Sequence, residues 1–271
     1  MEQRGDVHFD KELYESLCSL PENLTNAPKE KLLTLWQRLS SLPKSVLEHP
    51  GRFMYNPVSA LNSDNDLYLL GIHPGIDPNG GPSEKLSLRD EIREWSKRST
   101  HAIASEIWSG HDYQDTVKVL CEKIGKDLDE LCASNLSFTR AKGKPDLTVA
   151  LSMLGVKDSV FWPVHEAVLD IVEPKCIIVI GAGKPHKIPD TVFRKVLHLM
   201  QSSKERPLLH TKEKTLCSDN KEYRWYVVDG EYQDRQMKLI GIPYPSHNRQ
   251  LRYYEEVLEQ IANEYQQICK K

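Results

Sequence analysis

The 271-residue chain has 39% hydrophobic and 28% charged residues, a composition typical of an ordinary globular protein. This length suits one large domain that buries a sizeable core. The formal net charge of −3 excludes a surface that is basic as a whole, so a polyanion would need a local basic patch.

The cysteine pattern and the N-terminal residues bear on the compartment of the protein and on the metal sites that it could hold. The six cysteines are far apart and include no C-x-x-C pair, which argues against a zinc or iron–sulfur site and favours free thiols in a reducing compartment. The first residues lack the apolar segment of a signal peptide, and no stretch approaches the roughly 18 apolar residues of a membrane span. We therefore expect an intracellular protein with no metal, no cofactor and no membrane contact.

The first predicted elements are helical. Residues 10–50 carry leucines and Trp36 at helical spacing between prolines, which predicts an N-terminal helical extension, residues 1–50, packed on a main domain of residues 51–271. A buried strand follows at Leu67–Leu70, and it ends in a loop rich in glycine and proline. Helices are predicted next, over residues 86–97 and 116–131.

The second half of the chain alternates strands with helices. The elements predicted there are a short strand within residues 131–138, a helix at Phe161–Val172, a continuous apolar strand at Cys176–Ile180, a hairpin whose strands at 223–228 and 236–242 turn at Asp229-Gly230, and a final amphipathic helix. This alternation predicts an α/β fold with three layers, in which helices cover both faces of a mostly parallel four-stranded sheet.

Ligands of such sheets lie beyond the carboxyl ends of the strands, so three strand ends become candidate sites. The first is the run 71–75, GIHPG; the second is Asn135 with Phe138; the third is the run 243–249, PYPSHNR. Each is a common kind of turn when taken alone. Their order along the chain is the specific part.

In that order these elements resemble the uracil-DNA glycosylase superfamily. Residues 71–75 look most like the G-x-N-P-G motif of the single-strand-selective and mismatch-specific enzymes, and residues 133–138 resemble the strand whose asparagine reads the flipped base. Residues 168–181 match the family's helix, proline, strand and glycine in spacing, and Tyr244-Pro245-Ser246 stands where the family has H-P-S or N-P-S. The resemblance spans residues 53–265 and implies the family's fold.

The resemblance assigns three catalytic positions: His73, Asn135 and Tyr244. His73 stands where the family carries the Asp or Asn that positions water, and Tyr244 replaces the usual His or Asn. A neutral His73 can accept a proton from water, and the Tyr244 hydroxyl can donate to the oxyanion that develops on the base. Asn135 would read the base edge, although an amide can rotate to match either uracil or cytosine.

The same resemblance assigns the lining of a base pocket. Its expected residues are Gly71, Ile72, Pro74, Gly75 and Phe138. In the best-known branch a tyrosine at the position of Gly75 blocks the C5 side of the pyrimidine, so glycine here implies tolerance of 5-substituted bases. Phe138 either stacks on the base or fills the core.

Local basic and polar residues after the strand ends are the expected DNA contacts. Arg140 is the first of the basic residues that follow the predicted strand of Asn135. The predicted DNA contacts are Lys142, Lys144, Lys184, Lys187, Ser246, His247, Asn248, Arg249 and Arg252.

The resemblance therefore implies a monomeric, monofunctional DNA glycosylase that leaves an abasic site in single- or double-stranded DNA, nucleoid-associated if the chain is prokaryotic. The expected base is uracil or a 5-modified pyrimidine, hydroxymethylated or glucosylated as in phage DNA, in base-excision repair or in defence against foreign DNA. A non-catalytic DNA- or nucleotide-binding module on the same fold is the alternative. A nucleotide-dependent enzyme that uses Gly181-Ala182-Gly183-Lys184 is a weaker one.

Overall fold

A computed structural model describes residues 8–21, 24–75, 85–100, 102, 112–181, 196–197, 211–218, 221–233, 235–242 and 251–269. In these residues the chain is a mixed α/β protein built on one six-stranded sheet. The strands are β1 Leu67–Gly71, β2 Cys132–Asn135, β3 Cys176–Ile180, β4 Thr211–Ser218, β5 Lys221–Tyr232 and β6 Arg235–Ile242.

The sheet has the order β2-β1-β3-β6-β5-β4. Its first four strands pair in parallel, whereas β5 is antiparallel to both β6 and β4. The α/β class and the mostly parallel core agree with the sequence, but the predicted size of four strands was wrong. The sheet is larger because β4 and β5 extend it with antiparallel strands.

The predicted turn of the hairpin was also wrong. Asp229 lies within β5 and pairs with Lys238 of β6, whose Nζ is 3.3 Å from an oxygen of the Asp229 carboxylate. Pairing continues to Tyr232, which is 4% exposed, and the next residue, Gln233, has a φ of +49°. The hairpin is longer than predicted because strand pairing continues past Asp229-Gly230 to Tyr232, which is buried.

Helices flank the sheet. The described ones are α1 Lys11–Cys18, α2 Lys29–Ser40, α3 Lys44–Leu47, α4 Leu88–Trp95, α5 Asp112–Ile124, α6 Lys144–Met153, α7 Trp162–Val172 and α8 Leu251–Cys269. None of them is by itself long and apolar enough to cross a membrane; by length and composition alone, one pair bent by 76°, Pro145–Met153 with Asp158–Val172, passes that test.

Two hydrophobic clusters, one on each face of the sheet, define three layers. Leu67 and Leu69 of β1 pack with residues of α5 and α8, whereas Tyr68 and Leu70 pack with residues of α1 to α4, α6 and α7. Successive side chains of a strand point to opposite faces, so an apolar strand such as β1 is covered on both sides.

The N-terminal helices share the core of the sheet. Leu13, Leu35 and Leu39 have no exposed surface and belong to the same cluster as Tyr68. On the surface, Nζ of Lys31 in α2 donates to the carboxylate of Glu173, directly after α7, at 2.7 Å. Residues 10–50 therefore pack on the sheet as part of one hydrophobic core.

Candidate functional site

The carboxyl ends of β1 and β2 meet at one edge of the sheet. Gly71, the last residue of β1, is paired with Asn135, the last residue of β2. Along the same edge β3 ends at Ile180, which pairs with Ile242 at the end of β6. The register therefore places residues 71–75 and Asn135, from the first two predicted motifs, side by side. Strand β6, which precedes the third motif in the chain, ends at the same edge.

Backbone hydrogen bonds join the run 71–75 to the residues after β2. The amide of Leu136 donates to the carbonyl of Gly71 at 2.9 Å, and the amide of Ala141 donates to that of Pro74 at 3.2 Å. Nη1 of Arg140 donates to the carbonyl of Gly75 at 2.8 Å. Arg140 is only 4% exposed, so this arginine of the predicted basic group fixes the loop from inside.

His73 is half-buried within this loop. Its Nδ1 lies 3.0 Å from the carbonyl oxygen of Pro74. Because a carbonyl can only accept, Nδ1 carries the proton and Nε2 is the basic nitrogen of the neutral ring. Burial lowers the pKa of His73 below its ordinary value of 6.5, and the Pro74 carbonyl and the nearby Asp146 oppose that shift. The neutral imidazole is therefore the form present at neutral pH.

Gly75 is exposed at the end of the described loop. A Cβ built on it meets no described atom within 4 Å, and its φ is outside the left-handed region that favours glycine. A side chain here thus meets neither backbone strain nor a described neighbour. The other predicted pocket residues of this loop are buried or partly buried: Gly71, Ile72 and Pro74.

Asn135 is 2% exposed and is held by a residue that the sequence did not single out. Its Nδ2 donates to the hydroxyl of Tyr55 at 2.9 Å. Tyr55 lies in a segment, residues 51–56, that runs beside β2, and its amide donates to the carbonyl of Ala133 at 3.0 Å. The guanidinium carbon of Arg52 lies 5.3 Å from the centre of the Tyr55 ring.

A buried carboxylate holds that segment in place. Glu91 of α4 is 1% exposed and accepts from the amide of Phe53 at 2.8 Å and from Nη2 of Arg98 at 2.9 Å. Nε of Arg52 is 4.0 Å from the same carboxylate. Buried charges need partners, and these cations with the backbone donor supply them.

Phe138 has no exposed surface. Its ring centre lies 5.2 Å from that of Phe53, 4.8 Å from that of Phe161 and 5.1 Å from that of His165. The sequence left two roles open for Phe138, stacking on the base and filling the core. In the structure its ring fills the core.

Sequence analysis also missed a buried polar chain behind the strand ends. Nδ1 of His165 in α7 is 2.9 Å from the hydroxyl of Tyr68, and its Nε2 is 3.2 Å from the carbonyl of Leu136. The carbonyl can only accept, so Nε2 donates to it and Nδ1 accepts from Tyr68. Burial lowers the pKa of His165 to about 4, and burial raises that of Tyr68. The sequence feature that could have indicated this chain is a histidine on an otherwise apolar face of a helix.

The predicted DNA contacts are only partly described. Lys142 is exposed just before α6. Lys144 and Arg252 belong to α6 and α8, but their side chains are outside the described part of the chain. The remaining members also lie outside it: Lys184, Lys187, Ser246, His247, Asn248 and Arg249, as does the predicted catalytic Tyr244.

No described group of three His, Cys, Asp or Glu side chains could hold a metal ion. Cys121, Cys132 and Cys176 are buried cysteines that are not in disulfide bonds. Burial raises the pKa of Cys121 to about 12. Such a thiol is a poor nucleophile, because the thiolate is the reactive form.

Comparisons with known proteins give this chain no family. No family model matches it, and no curated protein matches its sequence. Its function has to be inferred from its own residues.

Proposed function

We propose that the chain is a monofunctional DNA glycosylase with a fold of the uracil-DNA glycosylase type. It hydrolyses the N-glycosidic bond of a flipped uracil-type or 5-modified pyrimidine and leaves an abasic site. The observation that carries the proposal is the pairing of Gly71 with Asn135, since it sets the His73 loop beside a buried amide at the carboxyl edge of a parallel sheet. Ligands of open α/β sheets bind at this edge.

His73 is the water-positioning residue of the proposed reaction. A neutral imidazole whose Nδ1 is occupied by a carbonyl keeps Nε2 as its proton acceptor, and the lowered pKa maintains that form. As the glycosidic bond breaks, the sugar gains oxocarbenium character and water adds to it. His73 aligns this water and accepts its proton.

The leaving base carries negative charge and needs hydrogen-bond donors. Asn135 reads and supports the base from the end of β2, and Tyr244, which follows β6 in the chain, supplies a phenolic donor. The motif positions 73, 135 and 244 contain no lysine that could form a Schiff base, so water is the nucleophile and no lyase step follows.

No described atom lies within 4 Å of a Cβ built on Gly75, which supports 5-substituted pyrimidines as substrates, including hydroxymethylated and glucosylated bases such as those of phage DNA. A base inside a duplex has to be flipped out at a cost of a few kcal/mol, and a single strand avoids that cost. The biological role is repair of damaged bases or defence against modified foreign DNA.

The test is a screen of the purified chain against oligonucleotides that each carry one modified pyrimidine, with strand cleavage at abasic sites as the readout. Base release that disappears in His73→Ala supports a glycosylase. His49→Ala is the matched control, because His49 is also half-buried and burial also lowers its pKa. DNA binding with no base released from any oligonucleotide would instead indicate the non-catalytic module.

A further inference from the structure

A polar cavity of about 190 Å³ lies between α2, α7 and the hairpin of β5 and β6. It shares no residue with the candidate functional site. Its polar lining residues are Thr34, Arg38, Glu166, Asp170, Tyr232 and Gln233. A water molecule occupies about 30 Å³ in the liquid, so the cavity has room for about six waters or for one small molecule.

The two helices bring opposite charges to this cavity. Arg38 of α2 is exposed, and it forms no hydrogen bond or ion pair with any residue that the structure describes. Glu166 and Asp170 are four residues apart on α7, a spacing that places both on the same side of the helix. The cavity therefore has a guanidinium from one helix and two carboxylates from the other, without an ion pair between Arg38 and either carboxylate.

Tyr232 places a buried hydroxyl in the cavity. The residue is only 4% exposed, because its ring packs in the hydrophobic cluster that includes Val168 and Leu239. Its hydroxyl makes no hydrogen bond within the described part of the chain. Burial raises the pKa of Tyr232, and the carboxylates of Glu166 and Asp170 raise it further, so the hydroxyl lies near both of them. Buried hydroxyl groups are normally hydrogen-bonded, and this one is left for a bound partner.

The elements around the cavity are fastened to one another. Nζ of Lys31 in α2 donates to the backbone carbonyl of Asp170 at 2.6 Å. The side chain of Gln233 is hydrogen-bonded to the Asp170 carboxylate, and its Oε1 accepts from Nη2 of Arg235 at 3.2 Å. Nη1 of Arg235 is 3.0 Å from the carboxylate of Glu173. A cavity with walls fixed in this way loses little freedom when it binds a ligand.

We propose that this cavity binds a small zwitterion of the amino-acid class, whose carboxylate pairs with Arg38. Its ammonium group donates to the carboxylates of Glu166 and Asp170 and to the hydroxyl oxygen of Tyr232. A ligand with only one of these charges would leave the other side of the cavity unpaired. This inference does not rest on the proposed glycosylase function, because it concerns binding at a different place.

The test is binding of three probes that differ in the separation of their charges: glycine, β-alanine and 4-aminobutanoate. Saturation-transfer-difference NMR on the full chain measures the Kd of each. We expect at least one to bind saturably, and the carboxylate and the alkylammonium ion of the same chain length to bind at least about tenfold more weakly. No saturable binding of any probe up to about 50 mM, where a site with a Kd near 1 mM is filled, would overturn the proposal. So would equally tight binding of a singly charged control.

Two conservative variants test the assigned contacts. Arg38→Gln should raise the Kd of the bound zwitterion by about tenfold, the effect of losing one hydrogen bond to a charged group, and Tyr232→Phe should raise it by about fivefold. Tyr265→Phe is the matched control, because it removes a phenol that donates to Asp66 and packs in the cluster on the opposite face of the sheet. Its Kd should equal that of the parent.

The melting temperatures of the variants show whether they are folded. Arg38 is exposed, so its replacement by glutamine should leave the Tm unchanged. A folded Arg38→Gln protein that binds the zwitterion as tightly as the parent does would overturn the assignment of the cavity. Because the readout is binding and not base release, failure of the glycosylase proposal would leave this result unaffected.

Discussion

Nε2 of His165 donates to the carbonyl oxygen of Leu136, so a histidine in α7 is fastened to the end of β2. The bond requires a neutral imidazole that also accepts from Tyr68. His165 thus supports the end of β2, which carries Asn135. Protonation of its imidazole would break the hydrogen bond that it accepts from Tyr68.

Stability should therefore depend on pH through His165. The pKa of this histidine is lowered from 6.5 to about 4, so between these values the unfolded chain binds a proton that the folded chain does not. The free energy of unfolding is then highest above pH 6.5 and falls as the pH drops toward 4, by up to about 3 kcal/mol from this group. Urea unfolding at several pH values measures it.

His165→Gln provides the comparison, because glutamine can donate to the carbonyl but does not titrate in this range. The fall in stability between pH 6.5 and 4 should be smaller in this variant. If both proteins lose the same free energy over that range, His165 is not the group responsible.

Gly51→Ala should destabilise the protein. A Cβ at this position would lie 2.8 Å from the carbonyl oxygen of Phe138 and 3.0 Å from the Leu88 side chain. Overpacking of this kind typically costs about 1–3 kcal/mol. Denaturant unfolding of this variant beside Gly75→Ala, where no described atom lies within 4 Å, tests the difference. Equal stabilities would show that segment 51–56 moves aside freely.

Gly75→Tyr should exclude bulky bases. A phenol ring on the C5 side of the pocket cannot share space with a C5 substituent, whereas uracil has none. The permissive φ, and the lack of any described atom within 4 Å of a Cβ at this position, predict an unchanged Tm. Base release is compared on uracil and a 5-hydroxymethyl pyrimidine, with Gly75→Ala as an intermediate size. A folded tyrosine variant that still releases the larger base as well as the parent does would remove Gly75 as the C5 gate.

Asn135→Ala should separate base reading from DNA binding. Phosphate contacts give affinity, whereas base contacts give recognition. We expect base release to fall by at least about a hundredfold, as on loss of an oxyanion donor, while affinity for abasic-site DNA is kept. Asn62→Ala, a partly buried asparagine in the loop before β1, is the control. Equal loss of affinity for intact and abasic DNA would contradict the assignment.

Arg249 and Arg252 should contribute salt-dependent affinity. Each phosphate contact on duplex DNA contributes about 0.9 to the steepness of log K plotted against log salt concentration. The slope of the double alanine variant should therefore be less steep than that of the parent by about two. Lys11→Ala/Lys44→Ala is matched, since these lysines are exposed on the N-terminal helices. Fluorescence anisotropy at several salt concentrations measures the slopes. A slope equal to the parent's would exclude both arginines as phosphate contacts.

Strands β1 and β3 of the parallel core were predictable because they are apolar on both faces. The run Cys176–Ile180 is β3 with its predicted bounds, and Leu67–Leu70 is β1 except for the added Gly71. A continuous apolar run predicts a strand that is buried on both faces, and this prediction does not depend on which elements pack on it. The hairpin was predicted with a turn too early, because the Asp-Gly signal says nothing of the Lys238 partner that keeps Asp229 in the strand.

The contacts of the candidate site could be predicted only in part. Strand order and the rule for strand ends bring Gly71 and Asn135 together. Tyr55 and His165 reach Asn135 and Leu136 through tertiary packing from distant parts of the chain, and the local sequence around a tyrosine or histidine carries no sign of its partner.

The path of segment 51–56 also affects association between chains. β2 is the outermost strand on its side of the sheet, and the unpaired edge of a sheet is a template for a strand from another molecule. Both backbone groups of Ala133 are taken by this segment, the amide by the Asn56 side chain and the carbonyl by the amide of Tyr55. The segment whose Tyr55 contacts Asn135 therefore also blocks β2 from edge-to-edge aggregation.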